Sequence, residues 1–159
     1  MELLHFSAQP VVYTPQKYRQ QARTMKPHGL WVSVGMAWRE WCKEQEWNMD
    51  GVRYVANVSL VPDAKILHLN GTSQIHVFAK KYIVPGPFHT IDWLRLADSY
   101  HGILIDPYCY ELRFSLDFLW YYGWDCASGC IWDYRAIDTV KSDLALEETY
   151  SRARGTVTR

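Results

Sequence analysis

Two short segments in which apolar and polar side chains alternate constrain the fold of this chain more than any other feature. Alternation at a period of two residues is typical of strands that bury one face. In residues 3–8 this pattern places Leu4, Phe6 and Ala8 on one face and His5 and Ser7 on the other. In residues 30–35 it places Leu30, Val32 and Val34 on one face and Trp31, Ser33 and Gly35 on the other. We expect two neighbouring strands whose polar or aromatic faces form one wall of a cleft. The alternative is an ordinary solvent-facing sheet surface.

Helices are predicted between and after these strands. Thr14-Pro15 provides a helix N-cap followed by proline in the first turn, and apolar residues recur at helical spacing as far as Met25. Further helices are predicted at residues 36–47, with Trp38, Trp41 and Cys42 buried, from the capping residue Thr72, and from the capping residue Thr90, with Trp93, Leu96, Ala97 and Tyr100 facing inward.

The order of the elements predicts the fold class. Further strands are predicted at 52–61, 65–69, 102–106 and 128–133, while the aromatic stretch 108–124 is compatible with a helix or a long covering loop. Strands and helices alternate too irregularly for a doubly wound sheet, and no glycine-rich phosphate loop is present. The sequence therefore predicts an α+β domain around a split, mostly antiparallel sheet with flanking helices.

Length and charge indicate a single folded unit. The chain has 159 residues, of which 48% are hydrophobic, and its 17 basic residues balance its 17 acidic residues. We expect one domain over residues 1–140, followed by a charged tail or peripheral helix at 141–159. A net charge of zero argues against a nonspecific nucleic-acid binder but not against nucleic acid as a substrate.

The cysteines and the apolar runs bear on the cellular compartment. The four cysteines follow no secretory signal, so we expect free, mostly buried thiols and a cytoplasmic protein. No apolar run approaches the roughly 20 residues that cross a bilayer, so no membrane association is expected. The histidines lack the spacing of metal ligands, and no metal site is predicted.

A third cluster, residues 124–132, places a carboxylate and small residues at the start of a predicted apolar strand. Asp125 is followed closely by Ser128 and Gly129, and small residues allow a ligand or a backbone to approach closely. The alternative is an ordinary loop in which Asp125 is a capping or solvated residue.

Taken together, these segments resemble the ADP-ribosyltransferase family. Leu4-His5-Phe6-Ser7-Ala8 is similar to the histidine strand of its diphtheria-toxin-like branch, and 26–33 is similar to the strand whose polar residue faces the nicotinamide. The stretches 56–69, 91–103 and 128–132 resemble the later motifs. The glutamate of the last motif would fall near Ser128-Gly129, where neither residue is acidic. Asp125 is the expected substitute, with Glu111 or Asp106 as alternatives.

The resemblance implies an activity and a set of site residues. It implies a mono-ADP-ribosyltransferase that uses NAD as its substrate and modifies a macromolecule, as in a toxin or a phage effector. The tryptophan and tyrosine content, which suits base stacking, slightly favours nucleic acid over protein as the acceptor. The implied catalytic residues are Asp125, His5 and Ser33. The implied NAD-binding residues are His5, Phe6, Ser7, Gly29, Leu30, Trp31, Ser33 and Ser128. The alternatives are a noncatalytic module that binds NAD or a partner, and an NAD glycohydrolase.

Overall fold

A seven-stranded sheet organises the fold. The computed structural model of the chain describes residues 1–142. Its strands are β1 (Leu3–Ser7), β2 (Ala22–Thr24), β3 (Leu30–Val34), β4 (Tyr54–Leu60), β5 (Ile66–Leu69), β6 (Ile83–Val84), β7 (Thr90–Asp92), β8 (Gly102–Ile105), β9 (Ser128–Ile131) and β10 (Ile137–Ser142). Its helices are α1 (Ala37–Glu44), α2 (Thr72–Tyr82) and α3 (Trp93–Ala97), with 3₁₀ turns at Met49–Val52, Tyr110–Leu112, Leu116–Gly123 and Tyr134–Ala136.

The large sheet has the strand order β10-β4-β1-β3-β9-β8-β5, and β2-β7-β6 form a smaller sheet. Every pairing in the large sheet is antiparallel except that of β5 with β8. The predicted α+β class with a mostly antiparallel sheet is therefore confirmed. None of the helices formed by residues 1–142 is long and apolar enough to cross a bilayer.

Hydrophobic cores lie on both faces of the large sheet. Neighbouring residues on a strand point to opposite faces, so along β8 Ile103 enters one core and Leu104 enters the other. The larger core joins the sheet to α2, α3 and the aromatic 3₁₀ segment, and it contains Trp93, Trp120, Trp124 and Trp132. Central strands β8 and β9 are buried along their whole length. Elements near the middle of the sheet are thus held on both sides.

The helix predicted from Thr14-Pro15 is wrong. The chain there is mostly irregular and then forms the short strand β2. Its backbone pairs across the molecule instead, because the N–H of Tyr18 donates to the carbonyl oxygen of Trp132 at 2.7 Å. Tyr18 and Met25 are partly buried against the larger core, whereas Ala22, at the same helical spacing, is exposed.

The helix predicted from Thr90 begins later than expected. Thr90 lies in β7, and Asp92 is the residue that caps α3, its Oδ1 accepting a hydrogen bond from the N–H of Arg95 at 3.0 Å. Trp93 and Leu96 are buried, as predicted. The cap is the Asp92 carboxylate and not the Thr90 hydroxyl, because Thr90 pairs with Val84 in the small sheet.

Two further expectations are refined by the structure. The aromatic stretch 108–124 is neither a regular α-helix nor a covering loop, because its 3₁₀ turns insert Phe118, Trp120 and Tyr121 into the larger core. The expected domain boundary at residue 140 falls inside β10, whose backbone pairs with β4 as far as Ser142. The rest of the expected tail, 143–159, lies outside the described residues.

Candidate functional site

A cleft opens where the large sheet parts between β1 and β3. These strands pair only through Leu3 with Val34 and Leu4 with Ser33. Beyond that point β1 continues its pairing with β4, whereas β3 continues with β9. Across this gap the two strands do not pair through their backbones, so side chains make the contacts between them.

His5 spans this gap. Its Nδ1 lies 2.7 Å from the carbonyl oxygen of Trp31. Because a carbonyl oxygen only accepts, Nδ1 carries the proton, and in the neutral ring Nε2 is left as a hydrogen-bond acceptor. One strand thus holds the imidazole of the other in a defined tautomer.

The predicted single wall of polar residues is wrong in its register. Residues that lie directly opposite each other in an antiparallel pair share a face, so Ser33 lies on the same face as Leu4 and not on that of His5. His5 reaches the cleft because the strands separate just beyond Leu4. Ser7 does not line the cleft, and its hydroxyl donates instead to the carbonyl oxygen of Gln9.

The cleft has a volume of about 250 Å³, and its lining combines aromatic rings with few polar groups. Six of the predicted site residues line it: His5, Phe6, Trp31, Ser33, Asp125 and Ser128. Lys26, Trp38 and Trp124 also line it and were not predicted as site residues. Lys26 and Trp124 begin the segments 26–33 and 124–132 that were singled out from sequence, but only the tertiary packing places these side chains at the cleft.

Gly29 and Leu30 lie outside the lining of the cleft. A Cβ at position 29 would lie 2.5 Å from the carbonyl oxygen of Ile131, so glycine allows the start of β3 to approach β9. Leu30 belongs to the smaller core on the opposite face of the sheet.

The two serines of the cleft are tied to the backbone. Ser33 is buried, and its Oγ accepts a hydrogen bond from the N–H of Trp38 at 2.9 Å, which joins β3 to the first turn of α1. This bond uses Ser33 as an acceptor and leaves its O–H as a donor for a ligand. Ser128 donates to the carbonyl oxygen of Cys126 at 2.9 Å.

Asp125 is held by an ion pair. Its Oδ1 lies 2.8 Å from an Nη2 atom of Arg113, and both side chains are largely buried, with 17% and 15% exposed. Asp125 is the one carboxylate among the lining residues that the structure describes. The alternative acids, Asp106 and Glu111, do not line the cleft.

Lys26 places a second cation at the cleft. Its Nζ lies 5.1 Å from the centroid of the Trp31 ring. Gly123 makes room for it, since a Cβ there would lie 2.6 Å from Cε of Lys26. Loss of hydration lowers the pKa of Lys26, and the charge of Asp125 opposes that effect. Trp124 packs against the Trp31 ring, with centroids 4.9 Å apart.

The thiols are buried, in agreement with the expectation from sequence. All four cysteines are buried, and the one that lines the cleft is Cys126. Burial raises its pKa to about 12, which keeps it protonated near neutral pH. Within residues 1–142, no group of three or more histidine, cysteine or acidic side chains is arranged to hold a metal ion.

The site is thus a small cleft with aromatic walls, a histidine of defined tautomer, one ion-paired carboxylate and one accessible ammonium. Such a set of groups suits a ligand that joins a flat ring to hydroxyl groups and an anionic group. Comparison of the chain with protein families, with curated proteins and with solved structures yields no match.

Proposed function

We propose that this chain is an NAD-dependent mono-ADP-ribosyltransferase with an ADP-ribosyltransferase-like fold, acting on a macromolecular acceptor as a cytoplasmic toxin or phage effector would. The observation that carries the proposal is the position of His5 in the gap between β1 and β3, bonded to Trp31 and sharing one cleft with Ser33 and Asp125. These residues were selected from sequence for this activity, and they come from three separate segments.

The size of the cleft supports half of a dinucleotide as its occupant. Its volume of about 250 Å³ lies just below the range of about 300–1,000 Å³ common for ligand pockets. The nicotinamide ring and its ribose would fill it, with the adenosine half outside. Trp31 would stack on the pyridinium ring, which is flat and positively charged.

Polar groups are placed to orient that half. Nε2 of His5, an acceptor in the neutral ring, would receive a hydrogen bond from a ribose hydroxyl. The O–H of Ser33 would donate to the carboxamide oxygen of the nicotinamide. The ammonium of Lys26 would attract the pyrophosphate at the opening of the cleft, where the dinucleotide extends outward. Each of these contacts requires only a donor or an acceptor that the cleft already presents.

The carboxylate would act on charge that develops during the reaction. Cleavage of the bond between the nicotinamide nitrogen and ribose C1′ builds positive charge on the sugar. A fixed negative group in a cleft of low polarity stabilises that charge. Arg113 would hold Asp125 in one orientation and weaken its field, so we expect slow catalysis.

The same ion pair favours a second candidate function. If Arg113 neutralises Asp125 too strongly, the cleft binds NAD or a partner without turning NAD over. An NAD glycohydrolase is intermediate between the transferase and the noncatalytic module, since it cleaves NAD but uses water in place of the macromolecular acceptor.

Nicotinamide release from NAD by the purified protein tests the proposal. The variants are His5→Ala and Asp125→Ala, with Asp138→Ala on the exposed edge strand β10 as the control. We expect release that falls in both site variants and not in the control. Labelled NAD with cell extract, separated into protein and nucleic acid, then identifies the acceptor. NAD binding without release would support the noncatalytic module, and release that is equal in all variants would refute this site.

A further inference from the structure

Three exposed aromatic rings lie together on the segment that precedes β9. The Phe114 ring meets Tyr110 edge-on, with centroids 5.9 Å apart, and meets Tyr122 with centroids 6.2 Å apart. More than half of the surface of each residue is exposed, with 63% for Tyr110, 65% for Phe114 and 52% for Tyr122. We call Tyr110, Phe114 and Tyr122 the aromatic patch.

The hydrophobic cores do not include these rings. The same segment supplies Phe118, Trp120 and Tyr121 to the larger core, whereas no residue of the aromatic patch belongs to either core. Leu116, also in this segment, is 77% exposed. Single exposed apolar residues are normal on a protein surface, but a contiguous group of them marks an interaction surface. The aromatic patch therefore has the character of a docking surface.

The aromatic patch is linked to the cleft through Arg113. The central guanidinium carbon of Arg113 lies 5.2 Å from the centroid of the Tyr122 ring and 5.8 Å from that of Phe114. The same guanidinium pairs with Asp125, which lines the cleft. Attraction between a guanidinium and aromatic rings holds both in place. A partner bound to the aromatic patch would therefore lie beside the cleft.

The charges of residues 108–123 indicate the chemistry of such a partner. The charged side chains of this segment are Glu111, Arg113 and Asp117. Arg113 is neutralised by Asp125, which leaves the exposed carboxylates of Glu111 and Asp117. Exposed carboxylates attract a cationic partner and repel a phosphate backbone. Charge complementarity therefore favours a basic protein segment.

Lys26 does not reverse this preference. A Cβ at position 123 would lie 2.6 Å from Cε of Lys26, so the lysine stem reaches the chain next to Tyr122. Its ammonium, however, lies over the ring of Trp31, which lines the cleft. One ammonium directed to the cleft leaves two carboxylates beside the aromatic patch.

We propose that the aromatic patch is a docking surface for a basic segment of a partner protein, in which arginine or lysine residues alternate with apolar ones. The apolar side chains pack on the rings. The cationic groups lie over the ring faces and pair with Glu111 and Asp117. This inference goes beyond the proposed function and does not depend on NAD.

The test measures, by anisotropy, the binding of a short fluorescently labelled peptide in which arginine and leucine alternate. Phe114→Ala and Tyr110→Ala are compared with Phe88→Ala, which removes a ring outside the aromatic patch that is also 65% exposed. We expect binding weakened about tenfold in both patch variants and unchanged in the control. Thermal melting of each variant verifies that it is folded.

A second arm tests the charge argument. The variant Glu111→Gln/Asp117→Asn is expected to bind the peptide less tightly, whereas Asp63→Asn, at an exposed acid between β4 and β5, is expected to bind it like the wild type. The same peptide with glutamate in place of arginine is expected not to bind. Equal binding of the two peptides, or unchanged binding by the double variant, overturns the proposal.

The remaining outcomes concern other occupants. No peptide binding by the wild type, or equal binding by Phe114→Ala and Phe88→Ala, overturns the proposal. Sedimentation equilibrium and a labelled single-stranded oligonucleotide are measured on the same variants. Self-association or oligonucleotide binding that Phe114→Ala abolishes would assign the aromatic patch to a second copy of the chain or to nucleic acid, and would also overturn the proposal. Because these assays contain no NAD, none of their outcomes bears on the proposed transferase activity.

Discussion

The imidazole of His5 and the carbonyl oxygen of Trp31 are joined by a 2.7 Å hydrogen bond across the gap between β1 and β3. This contact replaces the backbone pairing that ends at Leu4 and Ser33. It also directs the second ring nitrogen, Nε2, away from the bonded carbonyl and makes it an acceptor. One bond thus supports the sheet and prepares the site.

Substitutions of His5 separate these two roles. Asn places an amide N–H near the position of Nδ1 but has no group at the position of Nε2. We expect His5→Asn to keep nearly wild-type stability and to lose NAD turnover. His5→Ala loses both, with a decrease in unfolding free energy of about 1 kcal/mol. Urea unfolding and nicotinamide release measure the two effects, and equal turnover by His5→Asn and the wild type would contradict the assigned role of Nε2.

Asp125 and Arg113 are expected to be coupled in stability. Removing either one leaves the other largely buried charge without its partner, which costs about 2 kcal/mol. The double variant Asp125→Ala/Arg113→Ala is expected to lose less than the sum of the single losses, because the second substitution removes the unpaired charge. Urea denaturation of the four proteins gives the coupling energy. Additive losses would show that the pair contributes nothing.

Lys26 gives the proposed NAD site a pH dependence. Its pKa is lowered, chiefly by loss of hydration, so its ammonium loses its proton at a lower pH than an ordinary lysine. We expect NAD affinity to decline as the pH rises toward that pKa, and Lys26→Arg to remove the decline because a guanidinium stays charged. Titration calorimetry over a pH series tests this.

Lys26→Met provides a second readout. Because Lys26 is exposed, an uncharged side chain is expected to change the unfolding free energy little while it lowers NAD affinity. A variant that is both less stable and unaltered in NAD binding would contradict the assignment of Lys26 to the site.

Asp133 is expected to make the fold sensitive to acid. It is buried, accepts two hydrogen bonds from the Arg135 side chain at 2.9 and 2.6 Å, and lies 3.6 Å from Lys17. The hydrogen bonds from Arg135 hold its pKa well below the usual range despite burial. A depressed folded pKa gives stability above the ordinary value near 4 that is lost as the pH falls toward the folded value.

The variant Asp133→Asn tests this linkage. We expect it to be less stable than the wild type by about 2 kcal/mol at neutral pH, with the difference shrinking below about pH 4. Asp138→Asn on the exposed face of β10 is the matched control and should follow the wild type. A pH-independent difference would mean that packing, not ionisation, accounts for the loss.

Thiol chemistry reports on the packing of the cores. All four cysteines are buried, and burial raises the pKa of each thiol. We expect slow reaction of the native protein with a thiol reagent near pH 8 and rapid reaction of all four after unfolding in urea. Rapid labelling of Cys126 in the native state would show that the cleft wall opens, and its protection by NAD would place the ligand there.

Sequence periodicity predicted the strands and helices whose burial alternates regularly along the chain. The period-two alternation located β1 and β3, and the apolar spacing after Thr72 located α2, because alternation and helical spacing each leave a direct trace in sequence. The same reasoning failed at Thr14-Pro15, where Tyr18 and Met25 contact the core but the backbone bonded to Trp132 instead of forming a helix. The reverse happened at α1, where the predicted helix formed but the expectation that Trp38 and Trp41 are buried is wrong, since both are partly exposed.

The candidate site divides in the same way. The residue types that suit a polar cleft, His5, Ser33 and Asp125, were recognisable along the chain. Their grouping depends on the register of β1 against β3, on the point where those strands separate, and on the path that brings Lys26 and Trp38 to the opening. Pairing across tens of residues is decided by the packing of the whole sheet, so the ion pair of Asp125 with Arg113 and the partial exposure of Trp38 and Trp41 follow only from the tertiary structure.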